Sequence, residues 1–231
     1  MKLEFIIQNA EEAQRAEALG ADRLELVSAI ELGGLTPSYG TIKQVLKSVS
    51  IPVHIMIRPH PYHYHYGQEE MDAIIYDVQQ ILALGGDRIV FGALQQNGSI
   101  DLLAIERILS LSKNLQMTFH RAFDQTTSLM DAYHTLLPYQ NQITTILTSG
   151  GAPSVSKGKE TLNKLVKRSQ DVQGPEIMPG GGLTIDHFHH IHQLINANIY
   201  HFGKAVRLGH TFEQSFDPHA VTELKKIARI K

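Results

Sequence analysis

Apolar residues along the chain fall into two alternating kinds of segment. Short runs rich in β-branched and aromatic residues predict strands near residues 3–8, 23–27, 51–57, 88–92, 115–120, 143–148, 175–178 and 198–203. Longer segments with apolar residues at helical spacing lie between them. The clearest spans about 68–84, where Met71, Ile74, Ile75, Val78 and Leu82 share one face behind Glu69 and Glu70. The pattern predicts eight strands that alternate with eight helices.

The ends of two predicted helices share a motif. Ala18-Leu19-Gly20-Ala21-Asp22-Arg23-Leu24 returns as Ala83-Leu84-Gly85-Gly86-Asp87-Arg88-Ile89. In both copies a glycine suited to a helix C-cap precedes a strand-like run. At the other end of the first helix, Asn9 is the expected N-cap, with Glu12 at capping-box spacing. The motif indicates a repeated strand–helix unit.

Eight such units predict one closed (β/α)₈ TIM barrel over residues 1–231, because closure leaves no unpaired sheet edge. An open doubly wound sheet is the alternative. The first strand–helix turn, Gln8-Asn9-Ala10-Glu11, lacks the glycine-rich dinucleotide fingerprint, so no nucleotide cofactor is expected. No Pro-, Gly- or Ser-rich linker divides the chain.

Composition narrows the function classes. The formal net charge of −2 and pI of about 6.7 argue against nucleic acid or an anionic membrane as partner. The chain has no Cys and 13 His, so any metal must be held by His, Asp, Glu or Met. The first apolar run is short and carries Glu4, and no run approaches the roughly 18 apolar residues of a membrane span. We expect a cytoplasmic protein.

Polar residues at the ends of predicted strands are the candidate catalytic groups, because barrel enzymes work at that face. They are Glu25 on strand 2, Arg58 after strand 3, and His120, Arg121 and Asp124 after strand 5. Glu25 and Arg58 could form a structural ion pair. Alternatively, Glu25 is an acid–base carboxylate and Arg58 positions an anionic group of a substrate. His120 could be an imidazole that Asp124 orients for acid–base catalysis. Alternatively, it is a histidine that only forms hydrogen bonds at the end of its strand.

Glycine-rich turns after strands 6, 7 and 8 suggest an anion site, since backbone amides at helix starts bind phosphate. Such turns are also an ordinary way to make a tight connection. The candidate residues are Ser149, Gly150, Gly151, Gly180, Gly181, Gly182, Gly203 and Lys204.

Two histidine clusters could bind a metal that accepts imidazole ligands. His60, His63 and His65 lie in one aromatic-rich segment, and His187, His189, His190 and His192 share one predicted helix. The helical cluster is interpreted more simply as a solvent-exposed helix face, because no carboxylate or thiolate completes a set of metal ligands there.

Several of these segments together resemble the CutC family, named for copper homeostasis. The matching motifs are Gly20-Ala21-Asp22-Arg23-Leu24-Glu25-Leu26, Gly33-Gly34-Leu35-Thr36-Pro37-Ser38, Ile51-Pro52-Val53-His54-Ile55-Met56-Ile57-Arg58-Pro59, Thr118-Phe119-His120-Arg121-Ala122-Phe123-Asp124, Ile146-Leu147-Thr148-Ser149-Gly150-Gly151-Ala152-Pro153-Ser154 and Met178-Pro179-Gly180-Gly181-Gly182. The resemblance implies a TIM barrel, a cytoplasmic location, homo-oligomers (dimer or tetramer) and copper handling.

The chain departs from the family pattern at positions that bear on copper. Family members commonly carry Cys where this chain has Ile6 and Val27, so any copper would be ligated by imidazole. Two functions follow as hypotheses. One is a copper-homeostasis protein that binds copper ion without a reaction. The other is a TIM-barrel enzyme of the lyase or isomerase class that acts on a small phosphorylated or carboxylated metabolite.

Overall fold

Eight parallel strands alternate with eight helices in the computed structural model, which describes residues 1–229. The strands are β1 (Lys2–Ile7), β2 (Arg23–Leu26), β3 (Val53–Met56), β4 (Arg88–Phe91), β5 (Gln116–Phe119), β6 (Ile143–Thr148), β7 (Glu176–Pro179) and β8 (Ile199–Phe202). The helices are α1 (Ala10–Leu19), α2 (Tyr39–Ser48), α3 (Gln68–Ala83), α4 (Leu102–Leu109), α5 (Leu129–Leu136), α6 (Val155–Val172), α7 (Ile185–Ile195) and α8 (Pro218–Arg229). Each predicted strand overlaps an observed one.

The sheet closes on itself. Its strand order is β7-β6-β5-β4-β3-β2-β1-β8, and a parallel bridge between Gly180 and His201 joins the two ends. The predicted (β/α)₈ barrel is therefore confirmed, and the open doubly wound sheet is excluded. The strands all run the same way, so their C-terminal ends meet at one mouth.

The helices form where the sequence pattern places them. In α1 the Asn9 side chain accepts a hydrogen bond from the Glu12 amide at 2.9 Å, as the predicted N-cap requires. Helix α3 buries Met71, Ile74 and Val78 against the barrel, which confirms its predicted apolar face. No helix among the described residues is long and apolar enough to cross a membrane.

The centre of the barrel holds charged residues in place of some of the usual apolar layers. Glu4 on β1 is fully buried, and it accepts a 2.5 Å hydrogen bond from Arg23 Nε. Arg23 also donates to Thr118 Oγ1 at 2.8 Å across the barrel. This ion pair forms the floor beneath the mouth.

Candidate functional site

A cavity of about 330 Å³ opens at the mouth of the barrel; we call it the mouth cavity. Its polar wall comes from the ends of five strands, β2, β3, β5, β7 and β8, and the loops that follow them, and apolar side chains cover the remainder. It is lined by Ile6, Glu25, Ile30, Gly33, Met56, Arg58, Tyr64, His120, Arg121, Leu147, Gly181, Gly182, Leu183, His201, Gly203, Lys204, Ala205 and Phe212. The structure thus brings Glu25, Arg58, His120 and Arg121 together, whereas Asp124 does not line the cavity.

Glu25 lies against His201, not against Arg58. Its carboxylate Oε2 is 3.8 Å from His201 Nε2, while Oε1 has no hydrogen-bond partner within the protein. The expected pairing with Arg58 is wrong, because no ion pair joins the two residues within 1–229. The physical reason is register: β2 and β8 both pair with β1, which puts Glu25 and His201 on neighbouring positions of the inner wall.

His201 is fixed by the buried ion pair below it. Its Nδ1 lies 2.7 Å from Glu4 Oε1, and Glu4 is itself paired with Arg23. Burial would raise the pKa of Glu4, but the charge of Arg23 and the hydrogen bond from His201 lower it to about 2. A Glu4 carboxylate that stays ionised holds the proton of His201 on Nδ1 and turns Nε2 towards Glu25.

The environment of Glu25 suits proton transfer near neutral pH. Burial raises the pKa of its carboxyl to about 7, against the opposing effect of the His201 charge. Burial alone would lower the pKa of His201, but the charge of Glu25 and the hydrogen bond to Glu4 raise it. A carboxyl that titrates near the working pH can act as a general acid or base.

Arg58 is built into the rim of the cavity. Its guanidinium donates to the carbonyl of Pro61 at 3.0 Å and, more weakly, to the carbonyls of Leu32, Gly33 and Gly34 at 3.4–3.5 Å. These bonds explain why it does not reach Glu25. Its Nε is buried and has no partner within the protein.

His120 lines the cavity and has one ring nitrogen without a hydrogen-bond partner within the protein. Its Nδ1 accepts a hydrogen bond from the Ala122 amide at 3.2 Å, so the proton of the neutral ring resides on Nε2. That Nε2 is buried and has no partner within the protein. Burial and the nearby Arg58 charge lower the pKa of His120 to about 3, which keeps the ring neutral. Close packing at Gly92 makes this position possible, since a Cβ there would lie 2.6 Å from Nδ1.

Asp124 does not orient His120. The short 3₁₀ turn Arg121–Gln125 carries its carboxylate towards the loop after β6, where it accepts from the amides of Ser149 at 3.1 Å and Gly151 at 3.0 Å. It also binds Arg121 Nε at 2.8 Å. The prediction that Asp124 orients His120 is therefore wrong. Asp124 instead binds both Arg121 and the loop after β6, and so holds them together.

The anion-site residues divide into two groups. The Ser149 and Gly151 amides already serve Asp124, the Gly150 amide donates to Thr148 Oγ1, and the Gly180 amide donates to the Thr148 carbonyl. These four are not free to hold an external anion, which corrects that part of the expectation. Gly181, Gly182, Gly203 and Lys204 line the mouth cavity, and their role in anion binding stays a prediction.

The segment with His60, His63 and His65 forms an aromatic loop at the rim. The ring of His63 is 4.5 Å from that of His60 and 5.6 Å from that of His65, measured between centroids. His60 Nε2 lies 2.7 Å from Glu70 Oε1, and His65 Nδ1 lies 2.8 Å from the Leu94 carbonyl oxygen. Each of these two imidazoles therefore has one nitrogen engaged by an acceptor.

Comparison with known proteins identifies the family. The family model described as "CutC family" matches residues 1–206. A CutC family protein from Serratia proteamaculans is 39% identical over 189 residues, which cover 82% of this chain and 73% of that protein. The chain belongs to the CutC family. The protein named copper homeostasis protein cutC homolog in Homo sapiens is 36% identical over 182 residues, which cover 79% of this CutC-family chain and 65% of the human protein.

Solved structures agree with this membership. A CutC crystal structure from Streptococcus agalactiae superposes with a TM-score of 0.79 at 30% identity, and the match covers 88% of this chain and 98% of that one. Phosphoribosyl anthranilate isomerase from Thermococcus kodakaraensis has a TM-score of 0.65 at 13% identity, with 100% and 99% coverage. The second likeness shows the shared barrel fold alone.

Copper fits the loop of this CutC-family chain only in part. The chain has no Cys, and the three loop imidazoles do not converge within 4.8 Å. Within residues 1–229, one group has its candidate ligand atoms within 4.8 Å of one another: Glu4, Glu25 and His201. In that group Glu4 is already paired with Arg23. Only a change of side-chain rotamers would let the loop enclose an ion. On α7, His187, His189 and His190 are exposed, as a solvated helix face would be.

Three residues of the site are absent from the predicted catalytic set: Glu4, Arg23 and His201. A signal existed for all of them, because each charged residue alternates with buried apolar neighbours in a strand, as Glu25 does. Tyr64 was also missed; its ring lies 4.9 Å from the guanidinium of Arg58 and 4.9 Å from the ring of His120. Nothing in the periodicity of a loop predicts such a contact.

Proposed function

We propose that this chain, a member of a family named for copper homeostasis, is an acid–base enzyme of the lyase or isomerase class. Its substrate would be a small phosphorylated or carboxylated metabolite bound in the mouth cavity. One observation carries the proposal. Three buried side chains, Glu25, Arg58 and His120, each leave one polar atom without a partner, and all three line the same cavity.

Unpartnered buried atoms are costly to a fold. Each one costs about 1–3 kcal/mol, so three together at one place favour a ligand that satisfies them. Stability alone gives no reason to gather them around an open cavity. A polar ligand with a hydrogen-bond acceptor near Arg58 Nε and His120 Nε2, and a donor or an acidic proton near Glu25, would satisfy the set.

The charge of the cavity wall indicates the class of ligand. Arg58, Arg121 and Lys204 are cationic. Arg121 is paired with Asp124 and Lys204 lies 3.6 Å from Glu31, so Arg58 is the cation of the wall that no carboxylate of the described residues neutralises. The buried Glu4–Arg23 pair is neutral overall. The balance favours an anionic group such as phosphate or carboxylate, held by the cationic rim.

Sulfate is a suitable probe because its charge is constant from pH 5 to 9. Isothermal titration calorimetry should detect sulfate binding to the wild-type chain, with affinity reduced about tenfold or more in Arg58→Met and in Lys204→Met. Arg107→Met on α4, which lies outside the cavity, is the matched control and should bind normally. Equal affinity in all four proteins would contradict the proposal.

A second candidate function is direct copper ion binding by His60, His63 and His65. Glu70 binds one nitrogen of His60 and the Leu94 carbonyl binds one nitrogen of His65, which leaves the other nitrogen of each imidazole for a metal. Histidines that bind metals commonly use their second nitrogen in this way. Without thiolate, binding would be weak, stronger for Cu(II) than for Cu(I), and lost as the imidazoles are protonated.

The copper test compares two triple variants. Replacing His60, His63 and His65 with Ala should lower the Cu(II) affinity about tenfold or more, whereas replacing His187, His189 and His190 on α7 should leave it unchanged. Equal losses in both variants, or tight Cu(I) binding by the loop variant, would reject this candidate. A cytoplasmic location and a dimer or tetramer are also proposed; cell fractionation and light scattering test them.

A further inference from the structure

We propose that Glu25 and His201 act together to move a proton between adjacent carbon atoms of a small 2-hydroxy-aldehyde or 2-hydroxy-ketone with an anionic end, while His120 holds the carbonyl oxygen. The inference rests on the proposed function and deepens it by naming the reaction class and the substrate class. Glu25 and His120 would be the catalytic residues. His201 and Glu4 would be positioning residues that act through Glu25.

The mouth cavity contains a small set of reactive groups. The chain has no Cys, and the hydroxyls of Thr148 and Ser149 are bound to Asp124, outside the cavity lining. The described cavity lining therefore provides no activated Cys, Ser or Thr nucleophile. It does provide one carboxyl, Glu25, with an unpartnered oxygen. Proton transfer is the chemistry that this set supports best.

The ring of His120 is held in one neutral tautomer. Because Nδ1 accepts from the Ala122 amide, Nε2 bears the hydrogen of the neutral ring and points to no acceptor within the protein. A neutral imidazole N–H can donate to a carbonyl oxygen and stabilise the charge that develops on it when a neighbouring C–H bond breaks. A ring held neutral can also pass a proton between two adjacent oxygens.

His201 and Glu4 position Glu25. His201 Nε2 faces Glu25 Oε2 at 3.8 Å, and Glu4 holds His201 from the opposite side at 2.7 Å. Glu4, Glu25 and His201 are all at least nine-tenths buried, so solvent does not compete for the proton. The pKa of Glu25, raised by burial to about 7, agrees with a carboxyl that can both take and return a proton.

The reaction balances without a co-reactant. Glu25 removes the proton from the hydroxyl-bearing carbon, and the C–H electron pair becomes the new carbon–carbon π bond. The carbonyl π pair moves to its oxygen, which receives a proton through His120 as the neighbouring hydroxyl gives one up. Glu25 then returns its proton to the former carbonyl carbon, where the carbon–carbon π pair forms the new C–H bond. An electron pair of the deprotonated oxygen forms the new carbonyl bond, so no electron is gained or lost overall. Arg58 and Lys204 would hold the anionic end.

Solvent exchange tests the assignment. Wild-type protein in D₂O is incubated with a panel of 2-hydroxy-aldehyde and 2-hydroxy-ketone phosphates, and deuterium at the carbon next to the carbonyl is measured by NMR. We expect incorporation with at least one compound and a loss of at least a hundredfold in Glu25→Gln. In His201→Gln the pH of half-maximal exchange should move upward, because the histidine charge favours ionised Glu25. His192→Gln, a half-buried imidazole outside the cavity, is the control and should match wild type.

Two failures are distinguishable. If sulfate binds in the calorimetric test but no compound of the panel exchanges, or Glu25→Gln exchanges as wild type does, the reaction assigned here is wrong while anion binding stands. If sulfate does not bind, the proposed function fails and this inference fails with it. An unchanged pH profile in His201→Gln would remove the positioning role of His201.

Discussion

Replacing Glu25 with Gln should stabilise the fold by an amount that grows between pH 4.5 and 7 and is constant above pH 7. The folded-state pKa of Glu25 is raised from its ordinary value of 4.5 to about 7, so the native protein binds one more proton than the unfolded chain between those values. Stability therefore falls as pH rises from 4.5 to 7 and is level above 7. At about 1.4 kcal/mol per pKa unit, ionised Glu25 lowers the free energy of unfolding by about 3 kcal/mol.

Gln is isosteric with the protonated carboxyl and carries no charge, so Glu25→Gln removes this cost. Urea denaturation of the variant should give a free energy of unfolding close to wild type at pH 5 and about 3 kcal/mol higher at pH 8. Glu160→Gln, at an exposed position on α6, is the control and should show no such pH-dependent gain. If Glu25→Gln is less stable than wild type at pH 8, the carboxylate is a structural ion-pair partner and the reasoning is refuted.

Three further outcomes follow from contacts of the site. Sulfate affinity should fall between pH 6 and 8 in wild type, as ionising Glu25 repels the anion, and should stay level in Glu25→Gln; calorimetry showing parallel curves would contradict this. Gly92→Ala should cost about 1–3 kcal/mol and weaken sulfate binding, because its Cβ would lie 2.6 Å from His120 Nδ1; unchanged melts would show that the ring has room. Asp124→Asn should cost about 2 kcal/mol in urea melts, since the carboxylate accepts from the Ser149 amide and neighbouring groups; full stability would deny it that role.

The barrel could be predicted because its information is local. Each strand is a short apolar run, and each helix has a periodic face such as Met71, Ile74 and Val78 on α3. Strand ends also revealed the side of the barrel that carries Glu25, Arg58 and His120, since parallel strands bring their C-terminal ends together. These three residues line one cavity, as that rule implies.

The partners within the site could not be predicted, because they depend on register around the closed sheet. Glu25 and His201 are far apart in sequence and meet only because β8 closes against β1. Proximity in sequence was misleading for Asp124, whose carboxylate turns away from His120 on a single 3₁₀ turn. The sequence of the β6 loop likewise gave no sign that the Ser149 and Gly151 amides already donate to Asp124.

A structure determined from crystals grown in high sulfate tests the central claim most directly, which is that the mouth cavity is built to hold an anionic ligand. We expect sulfate inside the cavity, with an oxygen within hydrogen-bond distance of Arg58 Nε or His120 Nε2. Sulfate confined to lattice contacts, with the cavity holding none, would contradict the account.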